Sequence, residues 1–343
     1  MPDTPPMPID AAHPNRRRAV ALALGTLAQP WSRAQPLASV AGTVADETWT
    51  DTRRQRSLPV RVRSPSAAMT APAGGWPVVL FSHGLGGTRA GGAVWGEAWA
   101  AAGFVVVHLQ HPGSDLDAVR AVATSFSDQS GLRRAAGPLQ LLARLQDVVF
   151  ALDEIGRRHA AGEGAWASMR PTAVGMSGHS FGALTTLGIA GQRYPGHPGF
   201  QEPRLSAFIA FSPSPPAIGD ARQAFDRIRD PVLCITGSRD DDVLGTNATA
   251  ARRIGMWDDL PAGHKAQLVL NDADHMTFAG QTGRAVEILP RDERTRRLQP
   301  QHHAQVAAFS ADWWRARLLG DERATARLLN PVGLAPDDRW RTG

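Results

Sequence analysis

Short, continuous apolar runs alternate along this chain with stretches in which apolar residues recur every three or four positions. The runs 76–81, 104–109, 172–178, 205–211, 232–236 and 266–270 predict strands covered on both faces, as in a mainly parallel sheet. Between them, 93–102 carries Trp95 and Trp99 at helical spacing. Leu141, Leu145, Val148, Val149, Leu152 and Ile155 mark one apolar helix face, and Asp147, Asp153 and Glu154 read as its solvated or capping charges. Residues 181–190 predict a small-residue helix, and 305–319 a final long one with Trp313 and Trp314 on its packing side. Residues 48–63 alternate in polarity around a turn and predict an antiparallel edge hairpin. The expectation is an α/β fold: a doubly wound, mainly parallel sheet with flanking helices and an antiparallel N-terminal edge hairpin. One domain over 46–320 is predicted, preceded by a leader and disordered segment (1–45) and followed by a tail (321–343). Two segments break the alternation, 111–138, with room for a short helix, and 255–264; each is read as a candidate lid beside the site or as a plain surface loop.

Composition adds bounds. A chain of 343 residues that is 43% hydrophobic can bury a large core. Its net charge of +5 is not gathered into a basic stripe with interleaved aromatics, so nucleic acid is not an expected partner. The single cysteine, Cys234, sits inside an apolar run and reads as a small core residue. No apolar segment reaches the roughly 18–20 residues that span a bilayer. At the N-terminus Arg16, Arg17 and Arg18 precede the apolar residues 19–24, followed by small residues. This predicts an export leader, of general or twin-arginine type; the other reading is a disordered basic tail on a cytosolic protein.

The chemistry concentrates at Gly178-His179-Ser180-Phe181-Gly182, a G-x-S-x-G where a predicted strand becomes a predicted helix. A strand turning sharply into a helix strains the residue at the apex and exposes its side chain, and flanking glycines admit neighbouring backbone. Ser180 is therefore a candidate nucleophile. A serine hydroxyl needs a base, and the base needs a carboxylate to fix its tautomer. His275, just after the run 266–270, is the candidate base. Of the consecutive Asp240, Asp241 and Asp242 after the run 232–236, spacing from Gly237 favours Asp240 as the acid. The glycine-rich Ser82-His83-Gly84-Leu85-Gly86-Gly87 follows another strand. With it, the backbone N–H groups of Leu85 and Phe181 become candidate donors to an oxyanion, and His83 a residue that shapes the loop. No lysine completes a phosphate-binding loop there. Met276 and Phe278, beside the candidate base, line an acyl pocket or belong to the core.

These residues, with His111-Pro112-Gly113-Ser114-Asp115 and Asp274-His275, make the stretch from about Trp49 to about Phe278 resemble bacterial dienelactone-hydrolase-like proteins related to platelet-activating-factor acetylhydrolases, in the α/β-hydrolase superfamily. The resemblance implies a Ser180–His275–Asp240 triad, oxyanion donors at Leu85 and Phe181, and neither metal nor cofactor. Dienelactone hydrolases proper use a cysteine where this chain has Ser180, and nothing beyond Arg291 matches a known motif. The expected activity is hydrolysis of a carboxylic ester, of a small molecule or lipid-like substrate with a short to medium acyl chain. An acyltransferase or peptidase using the same triad, and a binding protein of the same fold without catalysis, are the alternatives.

Overall fold

A computed structural model describes residues 42–123, 128–241, 247–283 and 290–343. The predicted leader thus lies outside the described residues, apart from its last four positions. Among the described residues nine strands form one sheet in the order β1-β2-β4-β3-β5-β6-β7-β8-β9. The predicted edge hairpin is present: β1 (Val44–Asp51) and β2 (Arg56–Arg63) pair antiparallel, and β2 pairs antiparallel with β4 (Val105–Leu109). From β4 the sheet is parallel through β3 (Trp76–Ser82), β5 (Met169–His179), β6 (Leu205–Phe211), β7 (Val232–Arg239) and β8 (Lys265–Asp274). The doubly wound architecture follows, because parallel neighbours require crossovers and those crossovers cover both faces.

Side chains of successive strand residues point to opposite faces, which divides the core in two. Val78, Leu80, Val105 and Val107 face Leu145, Val148 and Leu152 of α4 (Pro138–Ala160), together with Ala183 and Leu187 of α5 (Phe181–Ile189). Val79, Phe81 and Val106 face Trp95 and Trp99 of α1 (Ala93–Ala101) and Val306, Trp313 and Trp314 of α8 (Glu293–Leu318). The second face is unusually aromatic: Trp95 stacks on Phe211 at 5.4 Å, and Trp99 meets Trp314 edge-on at 5.7 Å. Cys234 is buried, as expected.

Several expectations need correction. Residues 111–138 hold two short helices, α2 (Leu116–Val122) and α3 (Gln129–Ala135), where the sequence suggested one. A five-residue helix, α6 (Ala221–Phe225), follows β6. Residues 255–264 do not flank the site, because α7 (Ala250–Asp259) carries the chain back across the sheet. His264 then accepts from the N–H of Val232 at the start of β7, at the end of the strands opposite Ser180. The long C-terminal helix starts well before Gln305 and runs through Pro300, with Asp292 capping the N–H groups of Arg294 and Thr295. The supposed tail is part of the fold. It supplies α9 (Glu322–Leu329) and β9 (Arg339–Thr342), which pairs antiparallel with β8 and closes that edge of the sheet. Asp147 is not solvated but fully buried, a point taken up below. No helix among the described residues is long and apolar enough to cross a membrane.

Candidate active site

Because β3, β5, β7 and β8 run parallel, the loops leaving their C-terminal ends gather at one edge of the sheet, where open α/β sheets place their sites. Ser180 joins β5 to α5 with φ 56° and ψ −112°, a conformation costly for a non-glycine residue. It is held there by its N–H donating to Phe211 O (2.9 Å) and by its carbonyl accepting from Ala183 and Leu184. The bordering glycines are required by space. A methyl on Gly182 would overlap the Ser82 carbonyl, and one on Gly178 would overlap the backbone of Gly182.

The structure brings Asp240 and His275 together: His275 Nδ1 lies 2.7 Å from Asp240 Oδ1, and both side chains are almost wholly buried. Asp240 Oδ2 accepts from Thr236 Oγ1 at 2.7 Å. Burial alone would raise the Asp240 pKa, but the hydrogen bond and charge of His275, with the charge of Arg253, hold it down at about 2. Arg253, from α7, is 3.2 Å from Asp240 Oδ1, and its Nη1 donates to the Ser212 carbonyl and to Ser214 Oγ. The neighbouring Asp241 is spent on capping Ala250 N–H, and Asp242 lies outside the described residues.

The His275 loop is tied to the Ser180 turn through the adjacent His179. Its Nε2 is 2.9 Å from the His275 carbonyl, and the two rings are 4.8 Å apart. Burial and the nearby His275 push the His179 pKa down to about 3, so the ring is neutral at pH 7 and donates from Nε2. The 3-10 turn His275–Ala279 is fixed by Asp274, whose carboxylate accepts from Thr277 N–H and pairs with Arg291.

Gly84 brings the loop 82–87 against the turn at Ser180: a Cβ built there would lie 3.5 Å from Ser180 Cβ. Leu85 packs its side chain on Val119, Leu132 and Ala135, a small satellite cluster under α2 and α3. Phe181 is buried, with the Arg144 guanidinium 4.3 Å over its ring. Met276 is half-buried beside His275. Phe278 does not line a pocket. It is packed into the aromatic core with Trp95, whose indole N–H donates to its carbonyl, because the tight turn after His275 folds position 278 back under the sheet edge.

A buried network whose pairings the sequence did not reveal surrounds this edge. Asp147 of α4 accepts from Arg54, Arg56 and His111 Nδ1 (2.9 Å), and His111 Nε2 meets Ser82 Oγ at 2.8 Å. No local sequence signal could have found these partners, since they come from four separate segments. Among the described residues no three or more His, Cys, Asp or Glu side chains converge as a metal site.

Residues 49–136 match the family described as platelet-activating factor acetylhydrolase, isoform II. Among solved structures the chain is similar to the ferulic acid esterase from Streptomyces cinnamoneus, with a TM-score of 0.55 and 18% identity over 84% of this chain and 93% of that one. No curated protein matches. The chain therefore has the α/β-hydrolase fold, and its N-terminal part is similar to the platelet-activating-factor acetylhydrolases.

Proposed function

We propose that this chain is a serine hydrolase of carboxylic esters. The observation that carries the reading is the 2.7 Å Asp240–His275 bond, formed at the sheet edge where Ser180 stands in a strained left-handed turn at the mouth of α5. Ser180 Oγ attacks the ester carbonyl while His275 takes its proton. The buried Asp240 carboxylate holds the imidazole with its proton on Nδ1, leaving Nε2 free to act as base. The N–H groups of Leu85 and Phe181 stabilise the tetrahedral oxyanion. His275 then protonates the leaving alcohol, and water repeats the sequence on the acyl-enzyme.

Met276 and the Leu85 loop supply apolar surface suited to a short or medium acyl chain. The family match over residues 49–136 favours acetyl-type esters, and the ferulic acid esterase likeness makes aryl-acyl esters the natural comparison. The test is a panel of acetyl, butyryl, octanoyl and feruloyl esters together with a fluorophosphonate probe. Wild type should hydrolyse at least one ester and be labelled at Ser180 only while folded. Ser180→Ala and His275→Ala should each lower turnover by about four to six orders of magnitude. A folded wild-type protein that neither turns over esters nor takes the label would refute the proposal.

A further inference from the structure

Arg144 is a fully buried guanidinium whose hydrogen bonds all go to neutral acceptors. Its Nε donates to Ser114 Oγ (2.8 Å), Nη1 to the His83 carbonyl (2.7 Å), and Nη2, at longer range, to the Gly84 and Ser114 carbonyls. Its face covers the Phe181 ring. A cation taken out of water costs several kcal/mol, and the charges of Asp147 and Asp115, neither of which hydrogen-bonds the guanidinium, offset only part of that. What this one grips is the loop bearing one candidate oxyanion donor and the side chain of the other.

The tautomers in this region can be worked out. His111 N–H donates to His83 Nε2 at 3.0 Å, so that nitrogen is an acceptor. Burial and the Arg144 charge hold the His83 pKa well below its usual value; the ring is neutral and its proton is on Nδ1. Nδ1–H therefore donates to the Gly84 carbonyl at 2.6 Å, and the 3.3 Å approach of Arg144 Nη2 to the same nitrogen sets donor against donor and is no bond. In a trans peptide the N–H lies opposite the preceding carbonyl. Fixing Gly84 C=O toward His83 and α4 thus turns Leu85 N–H the other way.

Beneath this, Asp147 sits one helical turn beyond Arg144. Two arginines of the β1–β2 hairpin balance its charge, and it orients His111, which in turn accepts from Ser82 at the root of the loop. Ser82, His111 and Asp147 repeat the residue types of the proposed triad. Ser82 is wholly buried, unlike the half-buried Ser180, so its hydroxyl is closed to a substrate.

We propose that Arg144 is the positioning residue of the oxyanion hole, coupling the Gly84–Leu85 peptide to Phe181 so that both N–H groups converge on one oxygen. The proposal rests on the hydrolase reading above. The measurement is kcat and KM per Ser180 titrated with fluorophosphonate, together with inhibition by a trifluoromethyl ketone, whose adduct carries the oxyanion. Arg144→Met should lower kcat per titrated site about 100-fold, with KM within about threefold, and weaken the ketone in parallel. Arg144→Lys should recover part of the loss. Ser114→Ala, which removes one tether and keeps the charge, should lower kcat a few-fold; it decides the matter if the Met variant does not fold. A purely structural Arg144 would reduce the melting temperature and the number of titratable sites while leaving kcat per site and ketone affinity at wild-type values, and that result overturns the proposal. An inactive, unlabelled wild type would instead overturn the hydrolase reading itself.

Discussion

Acidification is a sharp test of the core on either side of the sheet. His108 and His179 are fully buried, and burial pushes each pKa down to about 3. His108 is enclosed by the Phe81 ring and by Arg63, whose charge adds to the shift; its Nδ1–H donates to the Gly91 carbonyl, and Nε2 has no partner. In the unfolded chain the same rings protonate near pH 6.5. Between pH 6.5 and about 3 the unfolded state therefore binds protons that the folded state refuses, and stability falls as pH falls through that window. Each histidine contributes a slope of about 1.4 kcal/mol per pH unit, so at pH 4.5 the two together remove about 5 kcal/mol. His111, pushed down to about 4, acts in the same direction. A domain of ordinary stability, about 5–15 kcal/mol, should thus be close to acid unfolding by pH 4 to 4.5. Urea unfolding followed by far-UV circular dichroism at pH 7.5, 5.5 and 4.5 measures the slope. His108→Asn keeps a donor for Gly91 O and removes the titration, so it should flatten the slope by about 1.4 kcal/mol per pH unit. A wild type losing less than about 1 kcal/mol between pH 7.5 and 4.5, or a variant with an unchanged slope, would refute the reasoning.

Other outcomes follow from the same geometry. Asp240→Asn keeps the shape but favours the wrong imidazole tautomer, and should lower kcat about 10⁴-fold with folding retained, as read by steady-state kinetics and circular dichroism. Gly182→Ala drives a methyl into the Ser82 carbonyl and should cost about 1–3 kcal/mol in urea unfolding while lowering kcat per titrated Ser180. Trp340→Ala removes the indole bond to the Leu328 carbonyl and the contact with Phe309, and should cost about 2 kcal/mol by thermal or urea unfolding.

The parts of the fold and site that sequence revealed are those encoded locally. Ser180 was legible because glycines two residues to either side coincide with the end of an apolar run. His275 and Asp240 were legible because each follows a run at a spacing the parallel sheet converts into proximity. Phe278 stayed open between pocket and core because hydrophobicity beside a candidate base does not say whether the next turn points outward or inward. Asp147 looked solvated because its position on the helix says nothing of Arg54 and Arg56, which arrive from a hairpin some ninety residues earlier. Arg144 and Arg253 were invisible for the same reason: a buried cation looks like a surface one until its acceptors are known. The strand β9 was missed because Arg339-Trp340-Arg341-Thr342 carries no apolar run, and pairs at an edge where only one side needs a neighbour.

The perpendicular indoles of Trp99 and Trp314 belong to helices far apart in sequence that meet only on the finished sheet. Chromophores this close couple their strongest transitions, so the native molecule should carry an exciton couplet in the far-ultraviolet indole band that vanishes once α1 and α8 separate. The protein contains, without any label, an optical gauge of whether the aromatic layer on this face of the sheet is assembled.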